Sequence, residues 1–166
     1  EEVKQREFLG YAYEGAEASF ELLARRALGQ VPDYFAVESF RVIVERRHNA
    51  LGDLTTVSEA VVKLTAHDTA IHNVGVGNGP VNALDQALRK VLGEYSGYLK
   101  DLRLVDYKVR ILTGGTEAVT RVMVESADGK GNRWSTVGVS PNIVDASFEA
   151  LSDSIRYKLH REGARA

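Results

Sequence analysis

The chemistry this sequence could perform rests on exposed main-chain donors more than on reactive side chains. The turn Gly75 Val76 Gly77 Asn78 Gly79 Pro80 ends a β-branched run and opens a helical pattern. Glycines let a ligand approach the backbone closely, and the first amides of a helix stand at the positive end of its dipole, where a carboxylate is stabilised. Plain helix capping is the competing reading of the same residues. A second turn, Ser140 Pro141 Asn142, repeats the arrangement: Ser140 can cap a helix and Pro141 can take its first position. Asp106 adds an acid within a strand-like run, and the alternation of that run turns it away from Tyr107. It can pair with a basic side chain across the sheet or accept a ligand ammonium group. A small zwitterion would need both kinds of group. Burying a Leu or Ile side chain contributes about 1.5 to 3 kcal/mol, a micromolar ligand requires about 8 kcal/mol, and charged hydrogen bonds must supply the difference.

Other chemistries are disfavoured by what the sequence lacks. The four histidines, His48, His67, His72 and His160, show neither the i, i+2 nor the i, i+4 spacing that sets two imidazoles on one metal, and there is no cysteine. No metal site, catalytic residue or cofactor is assigned. No Gly-x-Ser-x-Gly elbow marks a nucleophile. The glycine turn superficially matches a dinucleotide fingerprint, yet its third glycine is misplaced and its strands form a meander rather than a βαβ unit. With 21 basic against 23 acidic residues and a net charge of −2, no cationic surplus exists for nucleic acid. No apolar run reaches the ~20 residues of a membrane span, and the absence of cysteine fits a reducing cytoplasm. The only methionine is Met123, so the chain is expected to be a fragment of something longer.

The elements that must position these residues come from periodicity. Tyr13, Ala16, Phe20, Leu23 and Ala27 form one helical stripe stopped by Gly29, and Val31 Pro32 Asp33 reads as a linker. This predicts a helical subdomain over 1–30. From Tyr34 the period changes to two, predicting strands over Phe35–Glu45, Val57–Leu64 and Ala70–Val76. A helix then starts at Pro80 with Val81, Leu84, Leu88, Val91 and Tyr95 on its buried stripe. The order recurs: strands Leu102–Leu112, Glu117–Ser126 and Arg133–Val139, a hairpin at Asp128 Gly129, and a helix carrying Val144, Phe148, Leu151, Ile155 and Leu159. Phe40 Arg41 Val42 echoes Tyr107 Lys108 Val109, Glu59–Leu64 echoes Glu117–Val122, and Val74 Gly75 Val76 matches Val137 Gly138 Val139. The predicted fold class is α+β: two pseudo-symmetric βββα units, 34–98 and 101–161, sharing one core in a 34–166 domain and preceded by a helical linker.

Three stretches carry a family resemblance: Gly10–Leu23 (GYAYEGAEASFELL), Gly77–Leu84 (GNGPVNAL) and Leu104–Val109 (LVDYKV). Together they resemble the C-terminal regulatory and dimerisation region of the 2-isopropylmalate and citramalate synthases, closer to the citramalate branch. The resemblance implies a domain that senses leucine or isoleucine in a cytoplasmic homodimer. It also implies an acetyl-CoA-dependent condensing barrel, N-terminal to this region, as the parent's catalytic part. This chain would carry no catalysis of its own. Carried over by motif, the resemblance nominates Gly77, Asn78, Gly79, Val81 and Asn82, then Val105, Asp106 and Tyr107, and finally Pro141, Asn142 and Ile143 as effector-binding residues. The loop Thr113 Gly114 Gly115 Thr116 looks shorter than in isopropylmalate synthases, a departure that bears on pocket shape. The alternatives are a dimerisation module with no ligand site and a small stand-alone enzyme.

Overall fold

A computed structural model describes residues 1–113, 115 and 118–166. The chain divides into two compact units, one of Asp33–Ser96 with Ala166 and one of Glu1–Pro32 with Gly97–Arg165. Each contains a three-stranded antiparallel meander followed by a helix, which is the predicted α+β architecture of two βββα units with a helical segment before them.

In the first unit β1 (Ala36–His48), β2 (Leu54–Ala66) and β3 (Thr69–Gly77) pair in the order β1-β2-β3, and α3 (Pro80–Val91) lies on one face. The central strand shows why. Ser58, Ala60, Val62, Leu64 and Ala66 are buried while Val57, Glu59, Lys63 and Thr65 are exposed, the period-two signature of a sheet covered on one side. Ala83, Leu84, Ala87, Leu88 and Val91 supply the covering stripe, whereas Val81 is only half-buried. Gly75 fixes how closely the two layers approach. A Cβ there would run into the backbone of Ala83 and Ala87, so only glycine lets the helix lie against this strand. The β2–β3 hairpin turns through His67 and Asp68, both left-handed (φ 47° and 57°), as a two-residue turn of this hand demands.

After a short helix, α4 (Ser96–Leu99), β4 (Arg103–Ile111), β5 (Thr120–Ala127) and β6 (Arg133–Ser140) of the second unit repeat the meander, and α5 (Ile143–Arg161) covers it. Val122, Val124, Ala146 and Ala150 form the centre of its core. Gly138 stands where Gly75 stands in the first unit: a Cβ would meet the Ala146 carbonyl. The N-terminal segment belongs to this unit too, adding α1 (Glu2–Phe8), which the periodicity did not predict, and α2 (Glu17–Ala27), which starts later than the Tyr13 stripe suggested.

The β6 edge of this sheet is closed by side chains. The outward amides of β6 at Ser135, Val137 and Val139 donate to Glu17 Oε1 (3.0 Å), Ser19 Oγ (3.0 Å) and Glu149 Oε2 (3.1 Å), so α2 and α5 satisfy an edge that would otherwise invite another strand.

Two local expectations need correction. The Glu59–Leu64 echo is slipped: Ala60 pairs with Gly75 and Val122 with Gly138, so Ala60 is equivalent to Val122, four residues from the match drawn by composition. The slip is even, so inward and outward faces survive it. Glu117, part of that echo, lies outside the described residues, as do Gly114 and Thr116 of the loop read as shortened. The Asp128 Gly129 hairpin is also longer than two residues: Asp128 N donates to Asn132 O, and the left-handed glycine is Gly131 (φ 84°). Asp128 Oδ1 accepts from both Lys130 N and Asn132 N (2.9 Å each), and that ring of bonds shapes the wider turn.

Candidate functional site

The start of α3 is an open set of donors. Gly79 occupies the capping position in extended backbone (φ −159°, ψ 170°) and has no side chain to cap with. Pro80 follows without an N–H, and Ala83 N donates to Gly79 O (2.9 Å). The amides of Val81 and Asn82 make no hydrogen bond among the described residues. Gly77 is glycine for a packing reason, since a Cβ would strike the Asn82 side-chain oxygen and Ala83 N. Asn78 is exposed. The five nominated residues of this turn therefore form one surface around the first turn of α3.

The equivalent turn of the second unit is closed. Gly79 and Asn142 both lie four residues after the glycine that packs on the helix, so they hold the same place in the repeat. Asn142 Oδ1 accepts from Val144 N (2.9 Å) and Asp145 N (3.2 Å), and Ser140 Oγ accepts from Asn142 N (3.1 Å). This corrects the expected cap: α5 starts at Ile143, Asn142 rather than Ser140 caps it, and Pro141 lies before the helix. Asn is as strong a cap as Ser, and its choice keeps both helices in register with their repeat.

On β4 the three nominated residues part company. A bulge between Leu104 and Asp106 leaves Val105 exposed. Asp106 Oδ2 lies 2.8 Å from Lys108 Nζ and Asp106 Oδ1 accepts from Tyr107 N (2.9 Å); the Lys108 hydrogen bond foremost holds this carboxyl below its ordinary range. Asp106 thus has its cation already. Tyr107 turns the other way, packs on the Val122/Val124/Ala146/Ala150 core, and reaches Ser147 Oγ at 2.7 Å. Ser147 in turn donates to Ile143 O (2.6 Å), so Tyr107 and the first turn of α5 form one hydrogen-bonded group while Asp106 stands on the opposite face.

The same unit holds two polar clusters that sequence reading missed. Lys158, 2% exposed, places Nζ 3.1 Å from Glu162, 3.2 Å from Asp128 and 3.3 Å from Asp101. Its signal was a lysine beside Leu159 and three residues after Ile155 on the α5 stripe. Glu149 accepts from the Tyr11 hydroxyl on both oxygens (2.6 and 2.8 Å), tying the N-terminal segment to α5, and burial pushes its carboxyl up despite that bond. Nothing in the spacing of Tyr11 and Glu149, far apart in sequence, announces the pair. Among the described residues no cluster of three His, Asp or Glu side chains could hold a metal, and no helix is long and apolar enough to cross a membrane.

Comparison with known proteins places this geometry. A family model described as the LeuA allosteric (dimerisation) domain matches residues 14–159. An (R)-citramalate synthase of Geobacter sulfurreducens is 52% identical over 163 residues, which are 97% of this chain and 30% of that protein. One from Aquifex aeolicus is 48% identical, over 98% of this chain and 30% of that protein. A 2-isopropylmalate synthase of Methanocaldococcus jannaschii is 33% identical over 60% of this chain and 18% of that protein. The chain spans about 30% of the length of these two citramalate synthases.

Proposed function

We propose a sensing role from one premise: the chain belongs to the LeuA allosteric (dimerisation) domain family of the citramalate and 2-isopropylmalate synthases. In this reading it binds isoleucine, or alternatively leucine, and feeds that signal to the cytoplasmic parent enzyme's acetyl-CoA-dependent catalytic domain, while performing no reaction itself. Two copies of the chain assemble as a homodimer.

One observation carries the ligand: the same repeat position is Asn142 in one unit, where the side chain satisfies the helix amides, and Gly79 in the other, where Val81 and Asn82 keep theirs free. A ligand carboxylate would take the place that Asn142 Oδ1 fills in the second unit, with the helix dipole adding to the bond. Gly77, Asn78 and Asn82 frame it. Val105, Tyr107, Pro141, Asn142 and Ile143 are proposed as effector-binding residues on the family resemblance alone. Asp106, neutralised by Lys108, is a weaker partner for the ammonium group than its strand position suggested.

The test is a Gly79→Asn variant. A Cβ at Gly79 has nothing within 4 Å and the backbone is extended, so the substitution fits without strain. It should cap α3, adding a few tenths of a kcal/mol of stability, and abolish the thermal shift produced by isoleucine or leucine. For the unsubstituted chain that shift corresponds to about 2.7 kcal/mol at a hundred times the dissociation constant. An unsubstituted chain that responds to isoleucine, leucine and valine not at all sinks the sensor, and a Gly79→Asn chain that still responds moves the site elsewhere.

The second reading, a dimerisation module without a ligand, is favoured by a different observation: the sheet face of the first unit away from α3 leaves Ile43, Val57, Val74 and Val76 exposed. That reading predicts a dimer with no calorimetric heat for any branched-chain amino acid.

A further inference from the structure

We infer that the second unit carries an oxyanion site at Arg110 and Arg121, built from other residues than the glycine turn and suited to a small carboxylate or phosphate. The register of β4 and β5 sets Arg110 directly opposite Arg121. Residues so paired share a face with Cβ atoms roughly 4.5 to 5.5 Å apart, and like charges in that relation repel. A sheet tolerates such a pair when something of opposite charge sits between the two guanidinium groups.

Nothing of the described chain does so. Lys108, two residues before Arg110 on the same face, is matched by Asp106 at 2.8 Å. Arg121 donates from Nε to the Gly10 carbonyl (2.6 Å), which anchors the guanidinium without neutralising it. Neither Arg110 nor Arg121 has a carboxylate of the described residues within ion-pairing distance. Glu14 lines the same cleft and is exposed without reaching either one. Burial, and then the neighbouring Arg110, push the Arg121 guanidinium down from its usual value, as expected of a cation short of a partner.

The surroundings have the form of a binding cleft. Arg110 and Arg121 line a cavity of about 600 Å³ whose apolar members include Ala12, Val109 and Met123. That size falls within the range of small-molecule sites. Two guanidinium forks on one wall match the paired oxygens of a carboxylate or phosphate, and the half-buried Met123 beside them gives an organic anion a surface for its carbon atoms. Gly10 and Ala12 come from the N-terminal segment, so an anion here would also tighten that segment on the sheet.

The test uses the chain itself, with inorganic phosphate and succinate as probes and potassium chloride at matched ionic strength as control. Each probe is followed by thermal shift and by the Nε–Hε signals of the arginines in ¹H–¹⁵N spectra. Phosphate, succinate or both should raise the melting temperature saturably beyond chloride and move the Arg121 signal; which of them does so identifies the anion class. Arg110→Ala should weaken the response by at least about tenfold, the loss of one charged hydrogen-bonding partner. Arg110→Glu should remove the response and raise the melting temperature without any anion, because it supplies the missing charge internally. Gly79→Asn should leave all of this unchanged, so failure here and failure of the amino-acid site are separately visible. No response beyond chloride, a response in Arg110→Ala equal to that of the unsubstituted chain, or a lower melting temperature for Arg110→Glu would overturn the site.

Discussion

A lysine that is 2% exposed is uncommon, because removing an ammonium group from water costs several kcal/mol unless acids and hydrogen bonds replace it. Lys158 has three acids, but Asp128 is the one that shares its burial. Asp128 also accepts from Lys130 N, Asn132 N and Asn132 Nδ2, so a single carboxylate closes the β5–β6 turn and neutralises α5. Burial alone would raise its pKa; the Asn132 and Lys158 hydrogen bonds outweigh burial and hold the carboxyl well below its usual range. The sign follows from linkage. A carboxylate with a depressed folded pKa contributes stability above the ordinary value near ~4 and loses it as pH falls through the lower folded value. Asp128→Ala should therefore cost about 3 kcal/mol at neutral pH, the lower end for breaking a buried pair because Asp101 and Glu162 remain. It should also flatten the acid limb of stability against pH, measured by urea melts between pH 2 and 7. A loss under about 1 kcal/mol would mean the other two acids suffice.

Between elements, the decisive contacts are those of helix on sheet. Gly75 and Gly138 let α3 and α5 lie against their third strands, and in each case the obstacle to a side chain is backbone, which cannot swing aside as a flexible side chain could. Gly138→Ala and Gly75→Ala should each destabilise by about 1 to 3 kcal/mol, as overpacked interiors do. Gly79→Ser, with open space around it and a hydroxyl able to cap, should stay within about 0.5 kcal/mol of the unsubstituted chain or gain slightly. Equal costs at Gly79 and Gly138 would sink the packing argument. These same glycines explain what was legible in the sequence. The β-branched alternation, the Val-Gly-Val match and the Pro80 start mark six strands and two long helices, because local pattern and burial agree there. The strand-two echo went astray because composition repeats every two residues along a β-strand and leaves register undetermined. The cap of α5 was misplaced because Ser140, Pro141 and Asn142 all favour a helix start, and only the helix register distinguishes them. The Tyr11–Glu149 tie and the paired arginines depend on contacts remote in sequence, which periodicity does not report.

For the whole molecule, each unit lays a helix on one face of its sheet, and the first leaves the other face with Ile43 at 49% and Val76 at 57% exposure. Along this face Arg41, Arg47 and Lys63 stand with Glu45 and Glu59, charges of both signs around an apolar centre. A two-fold interface sets one patch against its own copy, so a patch of mixed sign can complement itself where a single-signed one would repel. Such a contact would also give a regulatory domain something to modulate, since an effector controls its parent only by binding one arrangement better than another, and about 1 to 3 kcal/mol of difference suffices. Val76→Glu places a third acid at the centre of the patch, where the symmetry-related copy brings another, and the exposed position spares the core. Sedimentation velocity should show the unsubstituted chain as a dimer and the variant as a monomer with an unchanged far-ultraviolet spectrum. Because Val76 immediately precedes Gly77, the variant also tests whether assembly and amino-acid binding are linked: a monomer that has lost its thermal shift couples them, and a dimer that persists in Val76→Glu removes this face from the interface.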